Sequence, residues 1–117
     1  DLLRSEAADQ AFHLKLAETT GNSAVFDVVV SLWEARERSP QYRLLTGKAR
    51  EAGIDPVPDE HAIILDAVRS GESEKAREAM RAHLNRVIED LLRATEVHEL
   101  EQARQRISET RSKFAIR

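Results

Sequence analysis

The 117 residues contain no cysteine. Disulfides and thiolate metal sites are therefore excluded, and the composition fits a reducing, cytoplasmic setting. Glycine and proline are scarce, with 4 and 3 copies, and aromatic residues make up 4%. With so few turn formers, helices should be long. No apolar run approaches the roughly 18–20 residues of a membrane span, and no signal peptide is visible. Strand-like alternation, internal repeats and low-complexity stretches are missing. So are a Gly-rich phosphate loop and an HExxH arrangement. An excess of positive charge is also lacking, since 18 Lys and Arg face 21 Asp and Glu, for a net charge of -3. A domain that grips duplex DNA carries a basic face to neutralise phosphates. The basic residues near the end (Arg104, Arg106, Arg111, Lys113, Arg117) are mixed with Glu99, Glu101 and Glu109 and read as a solvated helix face. The chain is thus not expected to bind DNA by itself. Its first residue is Asp1 rather than Met, which reads as a fragment or a processed product.

What is present is 41% hydrophobic and 33% charged residues, the balance of a soluble domain built from amphipathic helices. A first helix is expected over about Leu2 to Thr20, stopped by Gly21-Asn22, residue types that tolerate a left-handed cap. A second follows Asn22 and runs through Val25, Val29, Leu32, Trp33 and Arg36 until Ser39-Pro40 ends or kinks it. A further helical piece is expected from about Gln41 to Ala52. Gly53 to Pro58 reads as a loop, and Asp59 as the N-cap of a helix over about Glu60 to Arg69. Ser70-Gly71 breaks the chain. Ser73 is placed to cap a last helix that begins near Glu74 and continues past Leu92. The expected fold is an all-helical antiparallel bundle. Residues 1–97 form its working part, and 98–117 a helical extension or tail.

Four polar residues break the helical pattern. His61 heads the stripe Ile64, Leu65, Val68, and an amphipathic helix keeps polar groups outside. His83 flanks the apolar stripe Ala76, Met80, Leu84, Val87, Leu91. Asp9 and His13, four apart, stack on one face with Leu2, Leu16 and Ala17. A single buried histidine is satisfied by a backbone carbonyl. A buried carboxylate, however, costs several kcal/mol unless paired or bound to a cation. Three imidazoles and a carboxylate facing inward suit one divalent metal ion, Zn, Ni or Mn foremost. His98 lies beyond this region and reads as a surface residue.

The same residues carry a family likeness. Asp9-Gln10-Ala11-Phe12-His13 followed by Thr20-Gly21-Asn22 resembles the pattern D-x-x-F-H … GN. His61 through Val68, then Gly71-Glu72, Ala76, Met80 and His83-Leu84, resembles H-x-x-I-x-x-A-I … GD … A … M … HL, with 22 residues from His61 to His83. The chain resembles the FCD domain, the C-terminal effector domain of FadR-type regulators in the GntR family of transcription factors. The likeness covers about Asp9 to Leu92. It implies a helical bundle that holds a metal through Asp9, His13, His61 and His83 and binds a small organic-acid effector beside it. It also implies a homodimer whose operator contacts come from an N-terminal winged helix-turn-helix. That domain and the first helices of the FCD domain are not in this chain, and Glu72 stands where the pattern has Asp.

Two arginines are candidates for the effector carboxylate. Arg36 sits within the stripe of the second helix, and a guanidinium, which cannot lose its charge, demands an anion when buried. Its planar fork fits a carboxylate. The plainer alternative has Arg36 snorkelling to water at the helix end. Arg86, three residues after His83, is the second candidate. Two other functions compete. A metal-dependent hydrolase would use an open metal position to activate water, but no acid is evidently placed as a base, because Glu60 points about 100° away from His61 around the helix. A purely structural dimerisation module would use the histidines as satisfied core residues. The reading adopted is a non-enzymatic sensor domain.

Overall fold

The computed structural model describes residues 2–54 and 59–116, with side chains from Ser5 onward except Asp59. The expected N-cap role of Asp59, the end of the loop at 55–58 and the packing of Leu2 fall outside the described residues. Among the described residues five helices follow in order: α1 Leu2–Glu18, α2 Ser23–Arg38, α3 Pro40–Glu51, α4 Asp59–Arg69 and α5 Ser73–Phe114. There is no strand among the described residues. The chain is all-helical, as its scarcity of turn formers implies. It packs as two units, 1–43 and 44–117, with the division inside α3.

The first unit is built on the α1–α2 pair. Gly21 takes a φ of 66°, a left-handed conformation that ends α1. Asn22 then starts α2, its side-chain oxygen accepting from the amides of Ala24 (3.0 Å) and Val25 (3.3 Å). Ser39 is extended and closes α2, and Pro40 opens α3, where its missing amide hydrogen costs nothing. Phe26, Val29, Val30, Trp33 and Arg36 form the covered side of α2, whereas Leu32, expected in the stripe, is 64% exposed. Ala17 is buried on α1.

The second unit is built on the α4–α5 pair, joined by a tight turn with Gly71 at a φ of 72°. Ile64 is 1% exposed and Ala94 is fully buried. The covered row of α5 runs through Ala76, Ala79, Met80, His83, Arg86, Val87, Asp90, Leu91 and Ala94. This corrects the expected stripe. Leu84 lies outside it at 49% exposure, and His83 lies at its centre at 6%. A rotation of about 100° per residue separates the two positions. Ser73 does not cap α5; Glu72 is the N-cap residue, without a side-chain cap bond, and its carboxylate pairs with Lys75. With no Gly or Pro between 73 and 114, α5 continues unbroken across residue 98 for 42 residues, about 63 Å. His98 is partly covered rather than a full surface residue. No described helix is long and apolar enough to cross a membrane.

Candidate functional site

In the first unit, Asp9 and His13 stand one turn apart on α1, with Asp9 Oδ1 3.3 Å from His13 Nε2. Two donors about 2.0–2.2 Å from a shared cation lie roughly 3.0–3.4 Å from each other in octahedral or tetrahedral geometry. The pair therefore already has the spacing of two ligands of one ion. The His13 ring is braced by Phe12 edge-on at 5.4 Å and by Trp33 of α2 at 5.8 Å. Both side chains of the pair are half-buried.

Arg36 does not snorkel into water. Its guanidinium lies 4.2 Å from the ring centres of both Trp33 and Tyr42. Nη2 stands 3.6 Å from Asp9 Oδ2, and the side chain is 29% exposed. A planar cation between two aromatic faces is held by the rings' negative faces. Asp9 thus meets His13 on one oxygen and Arg36 on the other. Burial pushes the Tyr42 hydroxyl above its ordinary pKa; Arg36 opposes this, and the charges of Glu6 and Asp9 add to it.

In the second unit, the rings of His61 on α4 and His83 on α5 pack edge to face with centres 4.8 Å apart. His83 Nδ1 is 2.7 Å from Glu60 Oε2. Arg86 donates from Nε to the other oxygen of Glu60 and from Nη1 to Asp90. Burial pushes the Glu60 pKa up, but the hydrogen bonds and charges of Arg86 and His83 outweigh it and hold the carboxyl below its ordinary range. The Arg86 pKa is raised despite desolvation, through the same two acids. No buried side-chain nitrogen or oxygen among the described residues lacks a partner. An open groove between α4 and α5, lined by Asp66, Ser70, Glu72, Lys75 and Glu78 among others, contains none of the predicted site residues.

Each predicted residue thus has a definite place. Asp9, His13 and Arg36 meet in one unit; His61, His83 and Arg86 gather in the other. Arg86 bonds Glu60 and Asp90, whereas Arg36 pairs with Asp9 and stacks on Trp33 and Tyr42. Glu60 was missed. One-helix geometry places it off the face of His61, yet its two methylenes carry the carboxylate to His83 on α5. The Arg86–Asp90 spacing of four, a same-face pair, was a visible sign of an acid–base network on this stretch of α5.

The described residues are thus all-helical and carry carboxylate–imidazole pairs, a packed imidazole pair and a stacked arginine. Comparison with known proteins assigns the class. The FCD domain family matches residues 1–86, and the chain belongs to it. The chain is 30% identical over 94 residues to the Uxu operon regulator of Haemophilus influenzae, covering 80% of this chain and 35% of that protein. It is 31% identical over 81 residues to the Exu regulon transcriptional regulator of Escherichia coli K12, covering 69% and 31%. With the Uxu operon transcriptional regulator of Escherichia coli K12 it shares 30% over 97 residues, 82% of this chain and 38% of that one. The chain spans about a third of the length of these relatives. No solved structure matches. As an FCD domain it is a regulatory module of the transcription-regulator class, not an enzyme.

Proposed function

We propose that the chain is the effector-sensing part of a transcription regulator, in which Asp9, His13, His61 and His83 hold one divalent cation and a small carboxylate effector binds beside it. The observation that carries this reading is the Asp9–His13 pair at ligand-to-ligand spacing. One carboxylate and three imidazoles make a donor set suited to Zn, Ni or Mn. A bound cation supplies a Lewis-acid contact for one effector oxygen. The protein's own residues do the rest. Trp33 and Tyr42 fix the plane of Arg36, and its fork presents paired N–H donors to a carboxylate. Arg86 contributes by holding Glu60 and Asp90 rather than by touching the effector.

In the intact regulator this domain acts as a homodimer in the cytoplasm, and ligand occupancy resets operator binding by a winged helix-turn-helix outside this chain. Helix-turn-helix proteins read two-fold operators as two-fold dimers. The test begins with elemental analysis of protein purified without an affinity tag. About one divalent metal per chain is expected, lost in a His61→Ala, His83→Ala double variant. A metal-free wild type that cannot be loaded with Zn²⁺, Ni²⁺ or Mn²⁺ would leave the structural dimerisation module as the correct reading.

A further inference from the structure

We infer that Glu60 is a positioning residue that sets the tautomer of His83 for metal binding, and that Arg86 and Asp90 lock Glu60 into that task. The inference rests on the proposed metal site and concerns residues outside its ligand set. A neutral imidazole carries its proton on one nitrogen and its lone pair on the other. A carboxylate flanked by a guanidinium is acceptor-only, so the contact between Glu60 Oε2 and His83 Nδ1 at 2.7 Å requires the proton on Nδ1. The lone pair then stands on Nε2, the form in which an imidazole ligates through that atom. Without such a partner a neutral histidine divides between two tautomers, one of which presents an N–H to the metal.

The lock has two parts. Arg86 bonds the second oxygen of Glu60, which stops the carboxylate from turning both oxygens elsewhere. Asp90, one turn further along α5, bonds another nitrogen of Arg86 and holds the guanidinium in place. His83 is the most buried polar residue described, at 6% exposure, so its ring has little access to water as an alternative partner. The four side chains form a run from Asp90 through Arg86 and Glu60 to His83, spanning α4 and α5. Partners of this kind, bonded to the far nitrogen of a ligating histidine, fix ring orientation, and their loss typically weakens metal binding about 10- to 100-fold.

Glu60→Gln keeps the shape and removes the charge. Its amide can turn its oxygen to His83 only by aiming its NH₂ at Arg86, donor against donor. The favoured arrangement gives the oxygen to Arg86 and the NH₂ to His83 Nδ1, which moves the proton to Nε2. The experiment uses the whole chain. Long-range ¹H–¹⁵N correlation spectra of the metal-free protein above pH 8 report the His83 tautomer, and competition with a chromophoric chelator reports Zn²⁺ affinity. The wild type should show the Nδ1–H form. Glu60→Gln should shift toward Nε2–H and bind Zn²⁺ about 10- to 100-fold more weakly. Arg86→Gln, which leaves both Glu60 and His83 in place, should show a smaller loss in the same direction. An Nε2–H tautomer in the wild type, or unchanged tautomer and affinity in both variants, would overturn the inference. If the wild type takes up no Zn²⁺ while the tautomer still responds to Glu60→Gln, the metal reading fails and the Glu60–His83 coupling stands.

Discussion

Replacing Arg36 by Ala separates a stacked, ligand-ready arginine from an ordinary surface charge. The side chain makes two ring contacts at 4.2 Å, each worth about 0.5–1 kcal/mol at a site that retains some solvent. The partly exposed pair with Asp9 at 3.6 Å adds about 0.2–1 kcal/mol. Arg36→Ala should therefore cost about 1.2–3 kcal/mol of stability. Arg36→Lys keeps the charge near Asp9 but gives up the planar stack, so it should cost about half as much. Trp33 is the only tryptophan, so urea unfolding followed by its fluorescence watches the ring that Arg36 covers. A midpoint shift worth less than about 0.5 kcal/mol, the ordinary range for a surface substitution, would show that the stack holds nothing. The functional arm is calorimetry with the retained effector, once mass spectrometry has identified it. Loss of one charge-assisted hydrogen-bond partner should weaken binding by about 1.5–3 kcal/mol, with metal content unchanged. Unaltered effector affinity would refute the assignment of Arg36.

Periodicity and punctuation made the helices legible. Gly21-Asn22, Ser39-Pro40 and Ser70-Gly71 lie at helix ends because each has a local physical reason to break or cap a helix. The ends of α5 were less legible. Its start is set by the backbone at Glu72 rather than by a Ser73 cap, and its unbroken run to Phe114 follows from the lack of any residue that would stop it. Side-chain direction was harder still. Leu84 and His83 differ by one position, and only the packing of α4 against α5 decides which faces inward. The histidine is inside because Glu60 and His61, both on α4, give its polar ring partners that a leucine could not use. For the same reason the position of Arg86 on α5 gives no sign that Glu60, on another helix, bonds it. A sequence lists the charges on one helix; the acid that neutralises them can come from a helix more than 20 residues away.

Chelation of the purified, metal-loaded protein should lower its melting temperature, because a ligand bound only to the folded state stabilises it by mass action; an unchanged melting curve would contradict a metal held by folded residues. Ile64→Ala should cost about 2–5 kcal/mol, as Ile64 is the largest fully buried side chain described and its loss leaves a cavity; a cost under 1 kcal/mol in urea would show that the α4–α5 contact is not a real core. Sedimentation equilibrium of the full-length regulator should give a dimer mass, and a concentration-independent monomer would contradict the two-fold reading. The pH response of Tyr42 gives a last check on the first unit. It is the only tyrosine, so absorbance near 295 nm follows its ionisation alone. Burial raises its pKa above the ordinary value of about 10. A group whose folded pKa is raised stabilises the fold below its unfolded pKa and loses that contribution as pH climbs toward the folded value. Stability from Tyr42 should thus be intact at neutral pH and fall from about pH 10 upward. Tyr42→Phe should flatten that decline. In the folded chain the phenolate should form above pH 10, and in denaturant near 10. A native midpoint at or below the denatured one would mean that the Arg36 charge outweighs burial, and the closed stack of Trp33, Arg36 and Tyr42 would have to be abandoned.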